Sequence, residues 1–191
     1  MGIKEADKLH KDGIKLFRRD KPEAAIEKFI EALEATDGDS RKSAEIYNDM
    51  GVAYRDMKDY PAAHKALDEA MSRFTELGDE KGQAQTLGNR GAVLQAQGEL
   101  EKAVEVYKES ATMLEEAGEN EMAMYVWQAV SKIRTKQGQY IAAIGAYEEG
   151  IDNMPQSSFK RKILKNILKT PSTLLGGPSL PDGDDDEDED E

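Results

Sequence analysis

The sequence contains no cysteine, only six prolines and a single tryptophan, and no apolar run that approaches the ~18 residues needed to span a bilayer. Without cysteine, the chain cannot form disulfides, cysteine-based zinc sites or a thiol nucleophile. Its first residues lack the apolar stretch of a signal peptide, and Ala6 stands where a myristoylation signal usually has serine or threonine. We therefore expect a soluble protein of the cytoplasm, for which membrane contact is not the favoured role.

Motifs that could carry catalysis are also missing. The sequence has no P-loop, no nucleophile elbow and no dinucleotide-binding glycine motif. The two histidines, His10 and His64, stand far apart and lack a metal-binding spacing. Asp37–Ser40 resembles the start of a calcium loop, but the glycine and the distal glutamate of such a loop are misplaced. We predict that the protein is not an enzyme and that it uses no cofactor or metal.

Charge of one sign dominates the sequence, with 39 acidic against 26 basic residues and a formal net charge of −13. Contacts to phosphates need clustered lysine and arginine, so this balance argues against binding of nucleic acid. The charges also separate along the chain. Residues 156–181 carry five basic and no acidic side chains, whereas residues 182–191 carry nine acidic and no basic ones. This change in composition predicts a domain boundary near residue 155.

An internal repeat emerges when the sequence is aligned with itself. Ala44–Asp79 aligns with Ala84–Glu119 at an offset of 40, so that Gly51 falls on Gly91. Similar segments precede and follow these two, at offsets of 38 and 40, and give four copies over residues 3–155. In each copy, apolar residues recur at helical spacing in two stretches with turn signals between them. The pattern predicts four pairs of helices, which bury their apolar faces by stacking on neighbouring pairs.

The repeat resembles the tetratricopeptide family, in its variant with longer repeats of 38–40 residues. The resemblance rests on large, small and aromatic residues at fixed spacing in the second and third copies. These are Tyr47, Gly51, Tyr54, Ala63, Leu67 and Ala70, matched by Leu87, Gly91, Leu94, Ala103, Tyr107 and Ser110. It implies an all-α fold, a right-handed α-α superhelix of four helix pairs plus a C-terminal capping helix. The fourth copy departs most, with Ser131, Arg134 and Gly150 at signature positions.

Glycine stands inside a predicted helix at Gly13, Gly51 and Gly91. A helical glycine costs about 1 kcal/mol relative to alanine, so its repetition predicts a place where a facing helix leaves little room. Other glycines stand where a helix C-cap favours this residue, namely Gly38, Gly78 and Gly118. The acidic residue that follows each of them could help to start the next helix. Gly98 and Gly138 are assigned to the turn within a pair.

The first helix of each pair lines a concave groove in the geometry that the resemblance implies, and such grooves bind extended peptides or helices. Small Val52 and Ala92 would admit a ligand backbone, and Asn48 and Asn89 could hydrogen-bond to it. The predicted groove residues are His10, Ile14, Phe17, Asn48, Val52, Arg55, Gln85, Gly88, Asn89, Ala92, Gln95, Tyr125, Gln128, Lys132 and Lys136, with Asp7 and Glu45 beside them.

Gly88 is unusual within this set, because the other copies have His10, Asn48 and Gln128 at its position. Together with Gly91 it forms a Gly-x-x-Gly spacing, but both residues fall inside a predicted helix, which excludes a phosphate-binding loop. We predict a bare spot on the groove wall beside Asn89, where a bound peptide could come close.

The groove predicts a non-enzymatic scaffold or adaptor that binds a partner protein or peptide. The alternative is a chaperone-like or assembly subunit that holds a client, with the acidic tail contacting basic partners. Chaperone-binding relatives clamp a C-terminal carboxylate with lysine, arginine and asparagine. The corresponding positions here do not match this pattern, and they are His10, Ile14, Asp49, Gln85 and Asn89. Binding of a chaperone tail is therefore disfavoured. The identity of the partner and the oligomeric state stay open.

The C-terminal part is predicted to contain two further segments. Residues 156–169 form a basic amphipathic helix, with Phe159, Ile163 and Leu164 on one side and Lys162 opposite. This helix either caps the last repeat or contacts an anionic membrane or a partner. Residues 170–191 are predicted to be disordered, as a proline- and glycine-rich linker and an acidic tail. The tail serves solubility, contacts a basic partner, or shields the basic end of the groove.

Overall fold

The structure, a computed structural model, describes residues 2–154, 156–158 and 161–166. Within these residues the chain is helical, and the predicted all-α fold of paired helices is confirmed. Each pair is an antiparallel hairpin of sequence neighbours, and successive pairs pack on one another. The helices are α1 (Ile3–Phe17), α2 (Pro22–Glu34), α3 (Ser40–Asp56), α4 (Tyr60–Glu76), α5 (Glu80–Gln97), α6 (Leu100–Glu116), α7 (Asn120–Lys136) and α8 (Tyr140–Asp152).

The chain divides into two compact units, Met1–Met154 and Pro155–Glu191. In the second unit, residues 161–166 are helical, and the hydroxyl oxygen of Ser158 accepts a hydrogen bond from the backbone N–H of Arg161 at 3.4 Å. The rest of the predicted basic helix and the linker and tail over residues 170–191 lie outside the described residues. The predicted domain boundaries and the capping role of residues 156–169 therefore stay predictions.

Several helices of the first unit begin at an acidic residue, as the sequence predicts. The side chain of Asp39 accepts a hydrogen bond from the backbone N–H of Lys42 at 2.7 Å, and Asp79 accepts one from Gly82 at 2.9 Å. Such a bond satisfies one of the N–H groups that have no partner in the first turn of a helix. Glu119 also occupies an N-cap position, but its side chain makes no capping bond.

The turns after the helices use left-handed backbone conformations at the predicted glycines. The φ angle is 85° at Gly38 and 84° at Gly98, a region in which a side chain is strained. Gly98 lies in the turn between the two helices of the third pair. In the first two pairs this turn has no glycine, and φ is 59° at Asp20 and 62° at Lys58. The turn within a pair is therefore a feature of the fold, and glycine only makes it less strained.

One packing contact recurs inside the first three pairs, and it explains the helical glycines. A large side chain of the second helix lies flat against a glycine of the first, so that a Cβ at this glycine would collide with it. The distances from such a Cβ would be 2.5 Å for Gly13 to Phe29, 2.6 Å for Gly51 to Leu67 and 2.8 Å for Gly91 to Tyr107. In the fourth pair, Ser131 replaces the glycine, and its hydroxyl donates to the carbonyl oxygen of Ala143 at 2.7 Å. The predicted close packing is confirmed.

The apolar core follows the stack of helices as a series of clusters. One cluster joins the first two pairs around the buried side chains of Phe29 and Ile46. Another joins the last two pairs around Val104, Val130 and Ile133. Because these two clusters are shared between neighbouring pairs, the pairs bury part of their apolar faces against one another, as expected for a solenoid.

Candidate functional site

The first helices of the pairs lie side by side, with α1 against α3 and α3 against α5. Two predicted groove asparagines meet on this surface. The Nδ2 atom of Asn89 donates a hydrogen bond to the Oδ1 atom of Asn48 at 3.0 Å, although the two residues are 41 positions apart in the sequence. The pair leaves the Asn89 carbonyl oxygen and the Asn48 amide nitrogen for other partners. Both residues are half-buried.

A cavity of about 350 Å³ lies next to this amide pair, and we call it the α5–α7 cavity. Its wall contains no charged side chain, and most of its surface is apolar. Five of the predicted groove residues line it, together with residues of α6 and α7. The lining residues are Asn48, Gln85, Gly88, Asn89, Tyr107, Ser110, Leu114, Met122, Tyr125, Val126 and Ala129.

The cavity depends on Gly88 in α5 and on Ser110 in α6. A Cβ added at Gly88 would lie 3.2 Å from the Ser110 hydroxyl oxygen, which is tight, and 3.9 Å from Val126. Ser110 is fully buried and donates a hydrogen bond to the carbonyl oxygen of Ala84 at 2.7 Å, which fixes its position. Gly88 and Ser110 therefore pack closely and together form part of the cavity wall, and the predicted bare spot for a bound peptide stays a prediction.

Residues of α7 form the rim of the cavity. Tyr125 is 58% exposed, which is unusual for a large aromatic side chain facing an apolar cavity. Met122 lies beside it, and the Nε2 atom of Gln85 is 3.2 Å from the Met122 sulfur. A thioether and an exposed ring adapt to ligands of different shape, because both are polarisable and methionine is flexible.

The other end of the groove, around α1 and α3, is charged, and its histidine is buried. His10 is only 7% exposed, and its Nε2 atom lies 2.8 Å from an Oδ atom of Asp49. Its ring also packs edge-on against Phe29, with a centroid distance of 5.6 Å. A smaller cavity of about 190 Å³ remains beside this pair, lined in part by the predicted groove residues Ile14, Phe17 and Val52.

A three-residue ion network closes the rim of this charged end. The Nζ atom of Lys42 contacts a carboxylate oxygen of Asp7 at 2.8 Å and also pairs with Glu45. Burial lowers the pKa of Lys42, but its hydrogen bonds to the two carboxylates outweigh burial and leave this pKa above its usual value. The hydrogen bond from Lys42 likewise lowers the pKa of Asp7. Both carboxylates are therefore already paired within the protein.

The other predicted groove residues are more dispersed. Arg55 is ion-paired with its neighbour Asp56 at 2.6 Å, and Gln95 accepts a hydrogen bond from the Tyr107 hydroxyl at 3.0 Å. Ala92 is half-buried and packs against the core of the last pairs. The residues of α7 beyond the cavity are the half-buried Gln128 and the exposed Lys132 and Lys136. The predicted groove is thus a set of distinct local environments.

Sequence reasoning missed the contribution of the second helices, because it assigned the groove to the first helices alone. Tyr107, Ser110 and Leu114 of α6 all line the α5–α7 cavity. Burial raises the pKa of the Tyr107 phenol to about 12, although the charge of Arg55 opposes this shift. One signal was available, because Ser110 stands where the repeat signature has alanine and lies opposite the unusual Gly88.

Comparison with known proteins identifies the family. A sequence profile described as soluble NSF attachment protein matches residues 3–170, which is most of the chain. The chain belongs to the soluble NSF attachment protein family. This family has a helical repeat of the tetratricopeptide type, so the predicted resemblance to such repeats is confirmed. A comparison with curated protein sequences finds no significant match.

Solved structures agree on the fold. A crystal structure of MamA has a TM-score of 0.58 and 22% sequence identity, and the match covers 84% of this chain and 81% of MamA. A second MamA structure has a TM-score of 0.56 and 19% identity, with 92% and 79% covered. Aspartyl phosphate phosphatase F from Bacillus subtilis has a TM-score of 0.75 and 18% identity, with 92% of this chain but only 46% of the phosphatase covered.

These matches show that the chain has the fold of a helical-repeat protein. Two further features of the described residues bear on its chemistry. No group of three or more histidine, aspartate or glutamate side chains among them is placed to hold a metal ion. No helix in the same part of the chain is both long and apolar enough to cross a membrane.

Proposed function

We propose that the protein is a non-enzymatic scaffold that binds a partner segment along the groove and anchors it in the α5–α7 cavity. The segment is an extended peptide or a helix that inserts one large apolar side chain between α5 and α7. The predicted groove residues around the cavity, Asn48, Gln85, Gly88, Asn89 and Tyr125, form its binding site. The description of the family as attachment proteins agrees with a binding role.

The observation that carries this proposal is the combination of an uncharged apolar cavity with an amide pair at its edge. Burial of an apolar side chain in such a cavity is favourable by roughly 1.5–3 kcal/mol. The Asn48–Asn89 pair offers one free donor and one free acceptor to a peptide backbone, which has the same two kinds of group. Apolar anchoring gives affinity, and the amides fix the register of the bound chain.

The proposal is tested by selecting binders from a random peptide library displayed on phage, with the full-length protein as bait. Selected peptides should share a leucine, methionine or aromatic residue at one position. Calorimetry with a selected peptide then compares the wild type with Ala129→Leu, a substitution that fills the cavity from α7. We expect Ala129→Leu to weaken binding at least tenfold, because the anchor and the new side chain compete for the same space.

Ala96→Leu provides the matched control, because Ala96 is exposed near the end of α5 and does not line the cavity. This variant makes the same chemical change and should bind the peptide as the wild type does. Circular dichroism should show native helix content in both variants. Equal affinity of all three proteins would reject the cavity as the binding site. Selection of peptides without any common pattern would favour the chaperone-like alternative, in which the protein holds many clients.

A further inference from the structure

The outer face of α8 is exposed and apolar over most of its length. Ile141 is 85% exposed and Tyr140 is 66% exposed, and Ile144 one turn further on is also accessible. Residues 139–147 contain no charged side chain, in a chain of which 34% of the residues are charged. Isolated exposed apolar residues are ordinary, but a contiguous group of them marks an interaction surface.

Comparison with the other repeats shows that this face is not a normal feature of the fold. The position of Ile141 is exposed in every second helix of a pair, and elsewhere the positions of Ile141 and Gly145 carry mostly charged residues. In α6 these residues are Glu101 and Glu105, and in α2 they are Glu23 and Glu27; α4 has Pro61 and Lys65. Only α8 combines isoleucine and glycine at these two positions.

Gly145 lies at the centre of this face and leaves space for a close contact. A Cβ built at this residue would meet no atom within 4 Å. Glycine therefore has no packing role inside the protein here, unlike Gly13 or Gly91. On a helix surface it costs about 1 kcal/mol relative to alanine, and it allows another helix to approach the backbone closely.

The two ends of α8 have opposite electrostatic character. Its last turns carry the exposed Glu148 and Glu149. Its first turn has no acidic residue, and the side chain of its N-cap residue, Gln139, does not cap the helix but accepts a hydrogen bond from Arg134 at 2.9 Å. An antiparallel copy of the same helix, crossing at Gly145, would place these glutamates beside the free N–H groups and the positive end of the helix dipole.

We propose that the α8 face pairs with the α8 face of a second copy of this chain, in an isologous dimer with its two-fold axis near Gly145. In such an interface the same patch serves both subunits, so it must be complementary to itself. The α8 face meets this condition, with an apolar centre and opposite electrostatic character at its ends. The groove, and with it the α5–α7 cavity, then occurs twice per assembly.

The absence of cysteine allows a direct test with a single introduced thiol. Gly145→Cys places this thiol at the proposed axis, where nothing in the protein obstructs it. Under mild oxidation the full-length variant should form a disulfide-linked dimer within minutes and in high yield. Ser72→Cys, exposed on α4, is the control and should stay monomeric on a denaturing gel under the same conditions.

Light scattering after size exclusion measures the same association without cross-linking. The full-length protein should have twice its monomer mass of 21.2 kDa, and the dimer should persist at high salt, which screens the repulsion between two chains of net charge −13. Ile141→Glu introduces the residue type found at this position in α6, and it should raise the dimer dissociation constant at least tenfold. Ile30→Glu, the same change on the exposed side of α2, should leave this constant unchanged.

Other results overturn the proposal. A monomer at all concentrations, with native circular dichroism and no cross-link through Gly145→Cys, excludes the dimer. A monomer in which the introduced thiol also resists a maleimide shows that another segment of the same chain covers the face. Equal dissociation constants for Ile141→Glu and the wild type place the dimer contact elsewhere.

Discussion

The first and third repeats make the same internal contact and yet present different surfaces to the groove. Phe29 and Tyr107 are equivalent residues, and each packs against a helical glycine of its own pair. In the first repeat, His10 then covers the contact and pairs with Asp49. In the third repeat, Gly88 takes the place of His10, and a cavity opens above Tyr107. The comparison teaches that a cavity can accompany the loss of one side chain at a repeated position.

The largest expected difference concerns the large side chains beneath the two sites. Phe29→Ala should lower the free energy of unfolding by about 3–5 kcal/mol, because Phe29 is only 1% exposed and its truncation leaves a buried void. Leu114→Ala, at the floor of the α5–α7 cavity, should cost about 2–4 kcal/mol, because Leu114 is equally buried but its truncation removes fewer carbon atoms. Urea unfolding followed by circular dichroism measures both. A larger loss for Leu114→Ala would contradict the comparison.

The second prediction uses the phenol that distinguishes Tyr107 from Phe29. In the unfolded chain a tyrosine loses its proton near pH 10, whereas in the folded protein burial holds the pKa of Tyr107 at about 12. The folded state therefore binds more protons in this window, and stability should fall by about 2–3 kcal/mol as the pH rises from 10 to 12. Tyr107→Phe should lack this part of the fall. If the stability of the variant and of the wild type fell in parallel between pH 9 and 12, the raised pKa of Tyr107 would be refuted.

The third prediction compares the polar pairs of the two sites. Asp49→Ala removes the partner of the buried His10 and should cost about 1–3 kcal/mol, the penalty for an unsatisfied buried polar group. Asn48→Ala removes the partner of Asn89 at the open cavity, where water can replace it, and should cost below about 1 kcal/mol. Thermal unfolding at neutral pH separates these values. Similar costs for both substitutions would mean that the two sites are equally closed.

The smallest effect on stability, combined with a clear effect on binding, is expected for Asn89→Ala. The residue is half-buried, so its loss should change the unfolding free energy by only about 0.5 kcal/mol. Under the proposed function it should weaken a selected peptide by about 1 kcal/mol, because one backbone hydrogen bond is lost. Calorimetry compares it with His10→Ala, which should destabilise the protein more than it weakens the peptide. The reverse order would place the peptide at the charged end of the groove.

Much of the fold could be predicted because it repeats. Gly13, Gly51 and Gly91 stand at one position of successive copies, and this recurrence indicated the close packing before any contact was known. Gly88 could be recognised as exceptional for the same reason. Ser131 shows that a departure from the pattern can preserve the contact between the two helices of a pair. Serine stands here instead of glycine, and its hydroxyl donates a hydrogen bond to the facing helix.

The pairings between repeats could not be predicted in the same way. Helical periodicity indicates which face of a helix is buried, but not which residue of another helix it meets. Ser110 and Leu114 lie within the same repeat as Gly88, and they were missed as the floor of the cavity because the groove was assigned to the first helices alone. His10 and Asp49 lie 39 positions apart, and each was considered separately as a residue that fails to match a clamp. Their hydrogen bond depends on the rotation of α1 relative to α3, which the repeat pattern leaves undetermined.

The position of the cavity beside the last pair of helices has a kinetic consequence. Met122, Tyr125, Val126 and Ala129 form one wall, and all belong to α7, which packs mainly on its sequence neighbours α6 and α8. In a linear stack of this kind, a terminal pair can open while the rest of the chain stays folded. Under the proposed function, the residence time of a bound partner would then be limited by the rate at which α7 and α8 detach, and amide hydrogen exchange in these two helices would slow when the partner binds.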